Sequence, residues 1–141
     1  MLTPSRKLYY AVEAVLYIAF HSDKTPISSR DIADEQGLPP RHLEQIMQKL
    51  VRGKVLKGMR GPKGGYTLAR PKSQISLGEI CQVVNDENTI DEIPPTTELG
   101  EAIIRPLWEV LHTSICDRMH VITIDDLCGE AEKKNLQKKV V

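Results

Sequence analysis

The chain opens with apolar positions that recur every three or four residues, the spacing of one face of an α-helix. These positions are Leu8, Ala11, Val12, Val15, Leu16 and Ala19. They predict an amphipathic helix over residues 4–21, with Thr3 as its N-cap and Pro4 in its first turn. One side of this helix is therefore expected to face a core.

Two shorter helices are predicted next, separated by a turn. Ser28 begins the first, with Asp31 three residues later as in a capping box, and Gly37 ends it. The second enters through Pro39-Pro40, ends before Gly53, and has an apolar face made of Leu43, Ile46, Met47 and Leu50. Helix, glycine-containing turn and helix, in this order, indicate a helix-turn-helix.

A glycine-rich segment at residues 60–65, Arg60-Gly61-Pro62-Lys63-Gly64-Gly65, follows the third helix. Short apolar strands at residues 55–57 and 66–68 flank it, which predicts a β-hairpin. A helix followed by a basic hairpin is typical of a winged helix, in which the helix enters a major groove and the hairpin reaches the adjacent backbone or minor groove. The alternative is an ordinary surface hairpin whose basic residues are incidental.

The second half predicts three more helical segments. Ser76 caps a helix to residue 85, a polar linker covers residues 86–97, and Thr123 opens a last short helix. Between them a long helix is predicted from Glu98 to about Ile122. Its apolar stripe consists of Leu99, Ile103, Leu107, Val110, Leu111, Ile115, Met119 and Ile122.

The long helix raises two questions that its sequence leaves open. Pro106 implies either a kink or a true start near Arg105, because proline removes a helical hydrogen bond. The apolar stripe also needs a partner. We expect an antiparallel copy from a second subunit, which makes a homodimer, and the alternative is that the helix folds back on its own domain.

These elements define the expected fold class, which is mainly α with a small β-hairpin wing. Residues 1–85 form a winged helix-turn-helix DNA-binding domain, and residues 86–97 form the linker. Residues 98–129 form the dimerisation helix and the short C-terminal helix, and residues 130–141 form a flexible tail.

Charge separates the two halves of the chain, although the net charge is zero. Residues 1–72 contain thirteen Lys and Arg against six Asp and Glu, and residues 73–141 contain the reverse excess, six against thirteen. A basic half indicates a nucleic-acid partner. The apolar run at residues 8–20 includes Glu13 and is too short to span a bilayer, so we expect no membrane partner and a cytoplasmic location with reduced thiols.

The candidate residues for metal binding or redox chemistry lie in the second half of the chain. His112, Cys116 and His120 recur four residues apart on the long helix, beside Glu109, and such nitrogen and sulfur ligands can bind a transition metal. We expect these residues to form a polar stripe beside the apolar seam and no metal site, with the metal site as the alternative. Cys81 and Cys128 are expected to fill the core, with a redox-active thiol among the three cysteines as an alternative. No Ser/His/Asp set or phosphate loop predicts an enzyme.

The run His42-Leu43-Glu44-Gln45-Ile46, the hairpin motif Arg60-Gly61-Pro62-Lys63-Gly64-Gly65-Tyr66 and the segment Ile75-Ser76-Leu77-Gly78-Glu79-Ile80 resemble the Rrf2 family of bacterial winged-helix regulators. The resemblance covers residues 1 to about 128. It implies that Glu44 and Gln45 contact base edges and that Arg60 enters the minor groove. The entry Pro39-Pro40-Arg41-His42 departs from the family pattern, so the operator sequence is expected to differ.

From the resemblance and the basic half we expect a homodimeric, sequence-specific transcription regulator, a repressor, bound to a palindromic operator and responsive to a small-molecule or protein effector. An alternative of another class is a winged helix that binds only protein. The expected DNA-binding residues are Ser28, Ser29, Arg41, His42, Glu44, Gln45, Lys49, Arg60, Lys63, Gly64 and Tyr66.

The linker is a second place where the chain departs from the family pattern. Many family members bind an Fe–S cluster through three cysteines in the linker, but residues 88–102 of this chain contain no cysteine. Because such clusters are generally held by thiolates, we expect no conventional Fe–S cluster and no cofactor. An alternative is a metal- or redox-sensing regulator that uses His112, Cys116 and His120 or a reactive cysteine.

Overall fold

A computed structural model describes residues 5–21, 25–85 and 97–136. Six α-helices and one two-stranded antiparallel sheet make up this part of the chain, which is mainly helical as the sequence predicts. The elements are α1 (Arg6–His21), α2 (Ser29–Gln36), α3 (Pro40–Arg52), β1 (Leu56–Met59), β2 (Gly65–Leu68), α4 (Leu77–Val84), α5 (Arg105–Val121) and α6 (Ile124–Lys133).

Helix α1 is the centre of the core. Its buried residues are Leu8, Ala11, Ala14, Val15, Ile18 and Phe20, and α2, α3, α4, α6 and β2 all pack against it. The Ser5 hydroxyl accepts a hydrogen bond from the Leu8 N–H at 3.2 Å, which satisfies a free donor at the helix start. The predicted cap Thr3 and Pro4 lie outside the described residues.

The helix-turn-helix forms where the sequence predicts it. The Ser28 hydroxyl accepts from the Asp31 N–H at 3.1 Å and caps α2, and Gly37 ends α2 in the left-handed conformation with φ 68°. Gly53 follows α3 with an ordinary φ of −79°. Its role is close approach, because a Cβ there would lie 2.5 Å from a methyl carbon of Val83 in α4.

The hairpin is longer than predicted and has a third participant. Leu56 pairs with Leu68 and Met59 with Gly65, so the strands continue to the glycine-rich tip. Ile27, just before α2, adds an antiparallel bridge to Tyr66: the Ile27 N–H donates to the Tyr66 carbonyl at 3.0 Å, and the Tyr66 N–H donates back at 2.8 Å. This bridge fixes the hairpin to the helix-turn-helix.

The predicted long helix is present, and Pro106 does not interrupt it. Helical backbone begins at Glu98, passes through a π-helical segment at Gly100–Ile104 and continues as α5. Pro106 lies in the first turn of α5, where its missing N–H is tolerated because the preceding turn is wider. Most of the predicted linker, residues 86–96, lies outside the described residues.

The start of α6 is tied to the start of α4. Thr123 and Asp126 form a complete capping box, with hydrogen bonds of 3.1 and 2.9 Å. Thr123 also bridges Ser76: the Leu77 N–H donates to the Ile122 carbonyl at 2.9 Å, and the Ile124 N–H donates to the Ile75 carbonyl at 2.8 Å. Helix α6 packs on α1 and extends past residue 130, where the tail was expected to begin.

Helix α5 touches α4 along one side and leaves the other side bare. Within the described part of the chain, no residue of α5 is fully buried. The apolar side chains that remain exposed on α5 are Leu107, Trp108, Val110, Leu111, Ile115 and Val121. No helix among the described residues has the length and apolar character needed to cross a bilayer.

Candidate nucleic-acid interface

Helix α3 has one buried face and one polar, exposed face. Leu43, Ile46, Met47 and Leu50 are buried in the core, as predicted. On the opposite side the exposed residues follow helical spacing, and they are Arg41, Glu44, Gln45, Gln48 and Arg52. This face is available to a ligand along the whole length of the helix.

An open cleft of about 600 Å³ separates the second half of α3 from the hairpin. Its lining consists of Ser28, Ser29, Gln48, Val51, Arg52, Gly58, Met59, Arg60, Gly64, Gly65 and Tyr66. Five of the residues expected to bind DNA meet here, namely Ser28, Ser29, Arg60, Gly64 and Tyr66. The start of α2, the second half of α3 and the hairpin therefore form one continuous surface around the cleft.

The other expected residues lie outside the cleft lining. Arg41, His42, Glu44 and Gln45 are exposed on the first half of α3, and Lys63 is exposed at the hairpin tip. Lys49 is half-buried at the edge of the polar face. The structure thus divides the expected set between the cleft and an exposed helix face that leads into it.

Sequence reasoning missed Gln48, Arg52 and Met59. Gln48 and Arg52 follow Gln45 by one and two helical turns, so helical spacing alone was enough to find them. Met59 gave no such signal, because an apolar residue in a strand is usually a core residue. It is about half exposed, at 51%, beside the hairpin tip.

Glycine shapes the hairpin tip. Gly61 has φ 114°, and its carbonyl accepts from the Gly64 N–H at 2.9 Å, which closes the turn. A Cβ at Gly64 would collide with the Met59 carbonyl oxygen, and one at Gly65 would lie 2.5 Å from the Ile27 carbonyl oxygen. The glycines therefore allow a narrow tip from which the side chains of Arg60 and Lys63 extend into solvent.

The charges around the cleft are mostly positive, with Glu44 as the exception. Burial, and to a lesser degree the negative charge of Glu44, raises the pKa of the Tyr66 phenol above its usual value. Tyr66 therefore stays neutral at physiological pH and keeps its O–H as a hydrogen-bond donor. Arg41, Arg52, Arg60 and Lys63 supply the positive charge that phosphate groups attract.

Arg70 braces the base of the hairpin. Its Nε donates to the Lys54 carbonyl at 3.1 Å, its Nη1 donates to the Gln74 carbonyl at 3.3 Å, and its Nη2 pairs with the Glu79 carboxylate. Lys54 takes the left-handed conformation with φ 60°, so the Arg70 contact lies at a tight turn. These bonds hold the hairpin at a fixed angle to α4.

The metal ligands proposed from the sequence of α5 do not converge. The Cys116 thiol lies 3.5 Å from His112 Nε2, but the His120 Nδ1 is 2.8 Å from the Cys116 backbone carbonyl and faces the helix instead. Within residues 5–21, 25–85 and 97–136, no group of three His, Cys, Asp or Glu side chains is placed to hold a metal ion. Within the described residues of the single chain, His112, Cys116 and His120 therefore do not come together as a metal site.

The cysteines also do not fit an Fe–S cluster. Cys128 is buried in the core on α6, with 2% of its surface exposed, whereas Cys81 and Cys116 are half-buried on α4 and α5. A cluster needs three or four thiolates, or histidines in their place, directed at one point. The chain has only these three cysteines.

Comparisons with known proteins agree with this geometry. The family model named Rrf2, described as an iron-dependent transcriptional regulator, matches residues 4–130. The chain is 31% identical over 130 residues to the HTH-type transcriptional regulator IscR of Pectobacterium atrosepticum, which covers 90% of this chain and 79% of that protein.

Two solved structures have a similar fold. IscR of T. potens superimposes with a TM-score of 0.80 at 30% identity, covering 98% of this chain and 94% of the other. CymR, the global cysteine regulator of B. subtilis, superimposes with a TM-score of 0.75 at 26% identity, covering 92% of this chain and 98% of the other.

Proposed function

Because the chain belongs to the Rrf2 family of transcriptional regulators, we propose that it binds a palindromic operator as a homodimer and acts as a repressor. One observation carries the proposal: the exposed polar face of α3 leads into a cleft whose other wall is a basic hairpin. The basic residues of that arrangement suit the phosphate backbone of a nucleic acid. We propose the cytoplasm as its location, because its proposed partner is there.

The polar face of α3 is proposed to read bases in the major groove. Gln45 and Gln48 can pair with adenine N6 and N7, Glu44 can accept from cytosine N4, and Arg52 suits guanine or a phosphate. The Ser28 and Ser29 hydroxyls, at the start of α2, are proposed to bind the phosphate backbone, where a helix N-terminus favours negative charge. This assignment separates residues that specify sequence from residues that position the protein.

The hairpin is proposed to follow the groove next to α3. Arg60 lines the cleft on the hairpin side, and Lys63 is exposed at the tip. A narrow minor groove has a strong negative potential that attracts an arginine. Gly64 and Gly65 support this role because they let the backbone come close to a phosphate.

The exposed apolar side of α5 is proposed to bury itself against the same helix of a second subunit. Leu107 and Leu111 are 50% and 40% exposed, and Val121 is 74% exposed. Such a continuous apolar helix face is costly in water, and a two-fold copy would cover it. A dimer would present two α3 helices to half-sites about one helical turn apart, roughly 34–36 Å, and a protein covering that length obstructs transcription.

We propose further that this regulator works without a conventional Fe–S cluster, although its family is described as iron-dependent. The support is the donor set: the chain has cysteines only at positions 81, 116 and 128, on three different helices. An effector that is a small molecule or a partner protein, acting between the hairpin domain and α5, would then supply the signal.

The test is selection of bound DNA from random or genomic fragments, followed by fluorescence anisotropy on the selected site. Metal-free protein should bind an inverted repeat far more tightly than a scrambled duplex, and added iron should not change the affinity. Lys133→Ala, on α6 away from the cleft, is the control and should bind normally. Absence of any enriched sequence would support the alternative of a protein-binding winged helix.

A further inference from the structure

Helices α4 and α5 approach each other closely along the side of α5 that lies away from its exposed leucines. A Cβ added to Gly78, near the start of α4, would collide with the imidazole of His120, near the end of α5. The start of α4 is also bridged to the residues that follow α5, through Ser76 and Thr123. The two helices therefore run antiparallel from this point.

From this antiparallel packing we infer that two cysteines lie near each other. Cys81 follows Gly78 by one turn of α4, and Cys116 precedes His120 by one turn of α5, so each thiol occupies the next position along the same contact. Burial first, and then the charge of Cys116, raises the pKa of the Cys81 thiol, and this electrostatic coupling agrees with close approach.

Each thiol has a polar neighbour of its own. The Asn85 Nδ2 lies 3.1 Å from the Cys81 sulfur, and the His112 Nε2 lies 3.5 Å from the Cys116 sulfur. The imidazole of His112 can take the proton of the Cys116 thiol, which the Asn85 amide cannot do for Cys81. The two cysteines are thus chemically different, and both are half-buried.

We propose that Cys81 and Cys116 form a redox pair that hydrogen peroxide oxidises to a disulfide within one chain. In the first step the Cys116 thiolate attacks one peroxide oxygen. An S–O bond forms, the O–O bond breaks, and the departing hydroxide takes a proton and leaves as water. The product is a sulfenic acid on Cys116.

In the second step the sulfur of Cys81, having lost its proton, attacks the sulfur of Cys116. The S–S bond forms, the S–O bond breaks, and the second hydroxide leaves as water. Two thiols lose two protons and two electrons, and one hydrogen peroxide is reduced to two waters. Cys116 reacts first because its neighbour His112 can accept a proton, whereas Asn85, the neighbour of Cys81, cannot.

A disulfide between Cys81 and Cys116 would connect the hairpin domain to the helix that carries the proposed dimer surface. Ile80 and Val84 fix α4 in the core of the hairpin domain, whereas α5 carries the proposed dimer surface. A covalent bond between them would lock the angle between domain and dimer helix. This expectation rests on the proposed function. We expect the disulfide to lower operator affinity at least tenfold, because the distance between the two α3 helices of the dimer, which must match the half-site spacing, depends on that angle.

The first experiment does not depend on DNA. Reduced full-length protein is treated with equimolar hydrogen peroxide, and free thiols and disulfide-linked peptides are measured. We expect two of the three thiols to disappear, a mass loss of two hydrogen atoms, one linked peptide joining Cys81 to Cys116, and recovery with dithiothreitol. Three thiols remaining free, or a link that joins two chains or includes Cys128, would overturn the proposal.

Three variants make the test specific. Cys128→Ala is the matched control and should form the same linked peptide. Cys81→Ser should stop at a sulfenic acid on Cys116 that dimedone traps, and this variant remains informative if Cys116→Ser folds poorly. His112→Gln should slow the loss of thiols without changing the final product. Equal rates for His112→Gln and the parent chain would contradict the proton-acceptor role.

The second experiment measures operator affinity before and after oxidation. Reduced protein that binds and oxidised protein that binds at least tenfold more weakly support the regulatory role, and unchanged affinity of fully oxidised protein contradicts it. If reduced protein binds no DNA, the proposed function fails. The peptide measurement still shows whether the disulfide between Cys81 and Cys116 forms.

Discussion

Single residues decide how closely the segments of the hairpin domain approach one another. Gly65 lies against the backbone of Ile27, and Gly53 lies against Val83. In both places a hydrogen atom occupies space that a methyl group cannot. These contacts have no pattern in the sequence beyond the glycine itself, and the sequence alone assigned Gly65 only to a turn.

We expect Gly65→Ala to lower the free energy of unfolding by about 1–3 kcal/mol, because its φ of 156° and the nearby Ile27 carbonyl both oppose a side chain. Gly129→Ala is the matched control, since a Cβ there meets nothing within 4 Å and α6 should gain up to about 1 kcal/mol. Urea unfolding of both variants measures the difference. Equal stabilities would mean that Gly65 is not constrained by the Ile27 bridge.

Arg60 is expected to act through charge at the edge of the cleft. Arg60→Ala should weaken operator binding and reduce the slope of log affinity against log salt by about two for the proposed dimer, because one phosphate-neutralising cation is lost from each subunit. Anisotropy titrations at several salt concentrations measure the slope. Lys133→Ala should leave it unchanged, and an unchanged slope for Arg60→Ala would exclude Arg60 from the DNA contact.

At the scale of elements, local signals in the sequence were enough for every α-helix in the described residues. Ser28, Ser76 and Thr123 cap the helices that they were predicted to cap. Caps and helical spacing depend on residues only a few positions apart, so they can be recognised directly in the sequence. The same holds for the hairpin, whose glycine-rich tip identifies it.

Contacts between distant segments could not be predicted in this way. The bridges from Ile27 to Tyr66 and from Ser76 to Thr123 each involve one residue pair, so no repeating pattern signals them. The approach of Cys81 to Cys116 depends on how α4 packs on α5, which helical spacing within either helix does not determine. The sequence therefore predicts candidate residues on α3 and the hairpin, and the structure adds the cleft between them.

The capping box of α6 offers a test of one element. Thr123→Ala removes the hydroxyl that accepts from the Asp126 N–H at 3.1 Å, and we expect a loss of about 0.5–2 kcal/mol in the free energy of unfolding. Thr113→Ala, on the exposed surface of α5, is the control and should change stability by less than about 0.5 kcal/mol. Similar values for the two variants would show that the cap contributes little.

At the scale of the whole molecule, the compact hairpin domain contrasts with the bare side of α5. Most of the chain's apolar side chains enter a single core around α1, with Ile124 and Cys128 of α6 included. The exposed apolar residues of α5 lie outside that core. Their position supports assembly with a second copy, since nothing in the described chain covers them.

Replacing Leu107 and Leu111 together by Asp should convert the dimer to a monomer, because two charges would enter an apolar interface. Far-ultraviolet circular dichroism should remain the same, since both side chains are already substantially exposed in the single chain. Light scattering measures the mass. Glu109→Gln, on the side of α5 that carries Cys116, should stay dimeric, and a double variant of dimeric mass would contradict the proposed interface.

The bridge between Ser76 and Thr123 joins the start of α4 to the start of α6, so the chain from Leu77 to Ile122 begins and ends at the same point of the hairpin domain. The entropy cost of closing a flexible loop grows only logarithmically with its length, and doubling the length costs roughly 0.6 kcal/mol. Residues of α5 that lie beyond its contact with α4 can therefore be gained or lost at little expense to the core around α1, whereas α4 itself belongs to that core through Ile80 and Val84. The same hairpin domain can therefore carry an α5 segment of different length and composition.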